Sequence, residues 1–416
     1  MKKQLTLFLL LSFAALVKAQ DKDTLEVHKI GDRYFVIVDH QKTDSTIQAA
    51  VKAATVPKPF DSHFMVVGLA TFGYAHTWTN TKSSGVSLGK TVTSTFGNDP
   101  EFEFSPMFLW RHSDKLLLEF EPSFDGTNLG VNWADVSYFL CPGLIARAGY
   151  IVLPFGTYNK RLAAGWIDKV ATDPIGITSS PVESDWGIEL EGGAALGSMK
   201  INYDASLTNG FQLLQDGTIQ NPGITDNNIG KTITGRFGWL PISNSSLEIG
   251  ASGLYGKAGD ANSMYQNATT YMGAGDIQYV FSNSNVTLNL KGQYNVQYVT
   301  RENYANPSDT SQTYSYNNLS MGYYAMAAVR PVSSNKILRN FEFAARYSQY
   351  DSPKNSSWES HSRQITAGID YWLTWRTVLK LTYENLYSSN PDNTNLGITN
   401  LRSDQNILFV QFSVQF

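Results

Sequence analysis

The sequence predicts an all-β fold, a sixteen-stranded antiparallel transmembrane β-barrel over 62–416 with a long third outer loop folded into its pore. Three observations predict it: apolar and polar residues alternate, short turns alternate with long loops, and aromatic residues gather at strand ends. A period of two puts successive side chains on opposite faces of a strand. In 285–300, Gly292, Tyr294, Val296 and Tyr298 alternate with Lys291, Gln293, Asn295 and Gln297. In 198–210, Ile201, Tyr203, Ala205 and Leu207 alternate with Lys200, Asn202, Asp204, Ser206 and Thr208. The stretch Asn406 to Phe416 sets Leu408, Val410, Phe412, Val414 and Phe416 against Gln411, Ser413 and Gln415. An open edge of that kind needs charge or proline to blunt it, and neither is present; closure against another strand removes the edge.

The connections fall into two classes. Short turns are expected at Ser113, Cys141-Pro142, Gly197, 242–245, 282–284, 331–336 and Thr374-Trp375, and polar loops at 80–100, 153–182, 211–230, 259–268, 301–314, 351–359 and 390–403. On the long-loop side only Asp125-Gly126 is tight. Such asymmetry, with an even strand number, is the pattern of outer-membrane barrels, and the final Phe416 resembles their terminal signature. Periodicity alone leaves open whether the polar face meets water outside or a watery lumen. The aromatics favour the lumen: Trp110, Phe139, Trp239, Phe281, Trp372 and Trp375 stand beside short turns, and Trp78, Phe124, Tyr150, Phe211, Tyr255, Tyr298, Tyr350 and Tyr387 near long loops. Two such belts mark the two interfaces of a bilayer; a general preference of Tyr and Trp for strands is the alternative.

Lys2 and Lys3 before the apolar run 5–17, with Val17-Lys18-Ala19 after it, predict a secretory signal peptide over 1–19. Residues 20–61 are read as a periplasmic N-terminal extension, with a hairpin about Gly31-Asp32, a weakly helical 46–54 and a break at Val56-Pro57-Lys58-Pro59. Loss of the three signal lysines takes the formal charge from -4 to -7, and no stretch is rich in Lys or Arg, which argues against a nucleic-acid partner. The single Cys141 allows no internal disulfide and is read as a small buried residue at a turn. No spacing of His, Cys, Asp or Glu signals a metal or a cofactor.

Loops longer than about 12 residues in a compact fold are usually functional or disordered. In 153–182 the apolar Leu153, Phe155, Leu162, Trp166 and Ile167 favour packing inside the barrel. Phe104-Ser-Pro-Met-Phe-Leu-Trp-Arg111, Lys115 to Phe124, and Gly149-x-x-x-x-Pro-Phe-Gly156 at the start of that loop resemble the phosphate-selective porin family (the O and P type) and related Gram-negative outer-membrane porins. The resemblance implies a homotrimer in the outer membrane, in contact with lipid and lipopolysaccharide, with the third loop narrowing the pore. Passive diffusion of small hydrophilic solutes is the expected function, with an anion- or phosphate-selective channel as the alternative.

Alternation places Arg111, Arg147, Arg236, Lys291, Arg346 and Lys380 on the lumen face, with Lys160, Arg161 and Lys169 from the third loop. These are the candidate pore-lining cations. Glu103, Glu119, Glu121, Asp135, Glu248, Glu342 and Glu384 share that face, so the expected lining is mixed and lacks an unbroken cationic ladder. A rim hydrolase would have to use His76 or His361, with Ser360 or Ser362 beside the latter. Adjacent strand residues point to opposite faces, so a solvated rim histidine is the simpler reading. The outer loops 210–230 and 389–402 carry no binding motif and are read as solvated.

Overall fold

The structure is a computed structural model that describes residues 24–30, 33–39, 63–96, 102–165, 167–180, 183–223, 225–226, 228–396 and 398–416. The expected signal segment, the helical reading of 46–54, the break at 56–59 and the anchor Trp166 lie outside the described residues. The chain divides into two units, 1–61 and 62–416. In the first, Thr24–Ile30 and Arg33–Asp39 pair antiparallel, with Ile30 opposite Arg33.

The second unit is a closed antiparallel barrel with sixteen strand positions. They are β1 (His63–Ser83), β2 (Val86–Phe96 continued by Phe102–Arg111), β3 (Leu116–Phe124), β4 (Leu129–Cys141), β5 (Leu144–Val152), β6 (Ser184–Leu196), β7 (Met199–Thr208) and β8 (Thr232–Leu240). There follow β9 (Leu247–Lys257), β10 (Thr269–Ser282), β11 (Val286–Val299), β12 (Asn318–Pro331), β13 (Phe341–Asp351), β14 (His361–Thr374), β15 (Thr377–Ser389) and β16 (Leu401–Gln415). Each pairs with its neighbour in sequence, and β16 closes on β1 with Val414 opposite Ala70 and Phe412 opposite Phe72. Backbone bonds extend the seam past the last strand residue: Phe416 N donates to Gly68 O at 3.0 Å and Gly68 N to Phe416 O at 3.1 Å. The Phe416 ring stacks on Phe104 at 5.7 Å. Closure leaves those edges paired, which satisfies their N–H and C=O groups without water.

The faces are inverted relative to a water-soluble barrel. Along β14, Ser362, Gln364, Thr366, Asp370 and Trp372 are buried, while Ile365, Ala367, Ile369 and Leu373 are exposed. In β15 Thr382 and Lys380 have no exposed surface, but Leu379, Leu381 and Tyr383 keep 43–46% of theirs. The outward face is therefore a continuous apolar wall and the inward face a polar one. In water the wall would be an aggregation hazard; against acyl chains it costs nothing to expose.

Four expectations need correcting. The first outer connection, 80–100, is mostly strand: β1 runs on to Ser83, turns at Ser84-Gly85 and returns as Val86–Phe96, which pairs with Tyr74 to Ser83. The Ser and Thr content of Val86–Phe96, exposed along almost the whole strand, disguised it as a loop. The connections 211–230 and 301–314 contain small hairpins, Gln212–Leu213 with Ile219–Gln220 and Tyr304–Asn306 with Asp309–Tyr314. They are not merely solvated, because Phe211, Leu213, Ile219, Tyr304 and Tyr316 join Leu153 and Phe155 in one buried apolar cluster. Phe211 and Trp372 consequently do not belong to interfacial belts; both are buried, and Trp372 Nε1 donates to Glu342 at 2.8 Å on the inward face. Cys141 is exposed, not buried, because it ends β4 at a turn.

Candidate functional site

The segment between β5 and β6 hydrogen-bonds with inward-facing side chains of β6, β7, β9, β11, β13, β14, β15 and β16. It starts at a fixed bend. Gly156 has φ +65°, and a Cβ there would lie 2.1 Å from the Gln293 amide of β11. That amide oxygen accepts from Thr157 N at 2.9 Å and Tyr158 N at 3.1 Å, and Ser252 of β9 accepts from Gly156 N at 3.0 Å. The Pro-Phe-Gly of the sequence motif thus has a local reason: the chain must turn against Gln293 with no side chain between. Further on, Ala171 N donates to Thr382 Oγ1 at 3.1 Å, and Lys380 Nζ donates to Asp168 O at 2.9 Å and Val170 O at 3.2 Å. The helical turn Ile175–Thr178 lies flat on β12 and β13: a Cβ at Gly176 would come 2.4 Å from Tyr323 O and Gln349 O.

Two charged groups hold the segment. In the first, Lys160 Nζ meets Glu189 at 2.6 Å, Glu191 at 3.1 Å and Asp204 at 3.3 Å, and Arg161 meets Glu248 at 3.1 Å and Asp204 at 3.7 Å. Burial pulls the Lys160 ammonium down, but Glu189, Asp204 and Glu191 outweigh it and hold the group above the ordinary lysine value. The chain of pairs continues to either side. Arg147 bonds Glu119 at 2.9 Å and Glu191 at 3.2 Å, and Arg236 bonds Glu248 at 2.9 Å and Asp276 at 2.6 Å. Glu189, Glu191 and Asp204 lie close enough to hold a metal ion, but the Lys160 ammonium stands among them. In the second group, Arg346 bonds Asp168 at 3.1 Å and Thr172 at 3.0 Å, and Lys169 bonds Glu342 at 3.2 Å. Tyr158 donates its hydroxyl to Asp168 at 2.8 Å and is placed within 2.7 Å of Asp173. Asp370 is fully buried in this group, and neither carboxylate oxygen has a hydrogen-bond partner among the described residues.

Of the remaining candidate cations, Lys291 is buried on β11, and Arg111, at the short-turn end of β2, donates to Asp114 O at 3.4 Å. The sequence reading missed the acids that matter most to Lys160, namely Glu189, Glu191 and Asp204, together with Asp185, Asp276 and Asp370. Their alternation was legible, with Asp204 on the polar side of its strand, but nothing in one sequence ties them to a residue of the third connection.

On the other side of the segment lies a cavity of about 620 Å³ against β1–β6. Its charged lining is Glu103, Glu121, Asp125, Asp173 and Glu183 with Lys160 and Arg161, and Trp133 and Tyr150 add aromatic surface. His361 bonds Asp351 on the outward face, whereas Ser362 is buried on the inward one, so the two share no face. His76 Nδ1 lies 2.6 Å from Ser94 Oγ, on the parity of exposed Phe72 and Trp78.

No protein-family model and no curated protein matches the chain. Solved structures do, and they define a class: the fold is that of outer-membrane porins. An anion-selective porin from Comamonas acidovorans has a TM-score of 0.54 at 13% identity, covering 86% of this chain and 100% of that one. The outer membrane channel DcaP of Acinetobacter baumannii gives 0.51 at 12% identity, covering 85% and 97%. The trimer form of OmpT, an outer membrane protein of Vibrio cholerae, gives 0.50 at 9% identity, covering 86% and 100%. At these identities the likeness is one of fold. The resemblance to the phosphate-selective family rests on the motif residues.

Proposed function

We propose that the protein is an outer-membrane porin through which small hydrophilic solutes diffuse passively. One observation carries this: the closed barrel exposes its apolar face and turns its polar face inward, around a space too wide for strand side chains alone to fill. The segment 153–182 then acts as the constriction, because it crosses toward β9, β11 and β15 and leaves the cavity against β1–β6 as the passage. Selection is by bore and by field. Of the candidate cations, Lys160 and Arg161 line that passage, while Arg111, Arg147, Lys169, Arg236, Lys291 and Arg346 add to the field of the surrounding inward face. Residues 1–19 serve as export signal, 20–61 as a periplasmic extension, and the long connections face outward toward lipopolysaccharide. A homotrimer is in keeping with the trimeric porin-fold neighbour.

Liposome swelling tests the proposal. Vesicles containing the purified protein should swell in neutral sugars at rates that fall as the sugar grows, with large oligosaccharides excluded. Vesicles no leakier than protein-free ones would overturn it.

A further inference from the structure

We infer that the passage favours cations, so that its preferred solutes carry positive charge; this rests on the channel reading above. Selectivity in a wet lumen follows the summed charge of the walls and where the charges that are not locally neutralised stand. By alternation the strands turn thirteen carboxylates inward: Glu103, Glu119, Glu121, Asp135, Asp185, Glu189, Glu191, Asp204, Glu248, Asp276, Glu342, Asp370 and Glu384. Eight cations oppose them: Arg111, Arg147, Lys200, Arg236, Lys291, Arg330, Arg346 and Lys380. The segment itself is balanced, with Lys160, Arg161 and Lys169 against Asp168, Asp173 and Glu183.

The distribution sharpens the imbalance. The cations that an anion channel would need are held by carboxylates: Lys160 by Glu189, Glu191 and Asp204, Arg161 by Asp204 and Glu248, and Arg147 by Glu119 and Glu191. Their fields close locally on those acids. Among the described residues, the open cavity is lined by five carboxylates and only two cations, Lys160 and Arg161 of the segment. Trp133 lines the same cavity, but the Arg147 guanidinium stands over its ring at 5.4 Å, so the carboxylates carry the attraction. The passage therefore presents a negative potential, opposite in sign to the selectivity named for the Comamonas porin of the same fold.

The test is the reversal potential of the full-length protein in planar bilayers under a KCl gradient. It should lie toward the K⁺ equilibrium potential, with K⁺ several-fold more permeant than Cl⁻. Glu103→Gln, Glu121→Gln and Glu183→Gln, which keep side-chain shape, should together bring the ratio toward unity while single-channel openings persist. Spermidine added to the unmodified protein should block the current, and inorganic phosphate should not; this arm needs no variant to fold. A reversal potential at zero or toward Cl⁻, or block by phosphate, would overturn the cation preference and leave a channel. Absence of any conductance would instead remove the channel reading, and the preference with it.

Discussion

At the Lys160 ammonium three carboxylates converge, in a place where only 9% of the lysine side chain meets solvent. Without the lysine, Glu189, Glu191 and Asp204 would repel one another there. Breaking a buried ion pair by removing one partner costs about 3–5 kcal/mol. Lys160→Met should therefore destabilise the packing of the segment by that order, and replacing Glu191, whose side chain is more exposed, should cost less. Urea titration of both variants, read by the conductance noise of the open channel as the segment loosens, checks the difference. A Lys160→Met protein as quiet and as stable as the parent would show that the clamp holds nothing. Lys160 could be singled out from sequence because it sits in an unusually long connection. Its partners could not, since they come from β6 and β7 and only the closed barrel brings them to it.

At the scale of elements, alternation made the strands legible because a two-sided environment, apolar outside and polar inside, forces a strict period of two. The same logic failed where both faces of a strand meet water. The upper part of β2, Val86–Phe96, is exposed along almost its whole length, so its Ser, Thr and Gly content resembles that of a loop. Among the described residues its backbone pairs with β1 alone, whereas Phe102–Arg111 pairs with β1 on one side and β3 on the other. Amides of 86–96 should exchange with deuterium much faster than those of β10–β15, which are paired on both edges. Hydrogen-exchange mass spectrometry of the protein in detergent measures this directly. Equal protection would mean that the free edge of Val86–Phe96 is covered. The hairpins at 212–220 and 304–314 were hidden for a different reason. Their apolar residues are few and scattered in sequence, and become a core only when Leu153 and Phe155 arrive from another connection.

For the whole molecule, the barrel and its strand number could be read from the sequence because connection length and face alternation are repeated along the chain. The balance of charge along the passage could not. It depends on which acids neutralise which cations, and those pairs join residues up to 178 positions apart, such as Asp168 with Arg346 and Lys169 with Glu342. The account stands on the inversion of the two faces. Nitroxide labels placed singly along β14 of the protein in lipid bilayers, with Cys141 replaced by Ser, test it most directly. Labels at Ile365, Ala367 and Ile369 should collide freely with dissolved oxygen, which concentrates in lipid, and poorly with a water-soluble relaxing agent. Labels at Gln364 and Thr366 should be shielded from oxygen. High oxygen collision at the even positions and low at the odd ones would contradict the account.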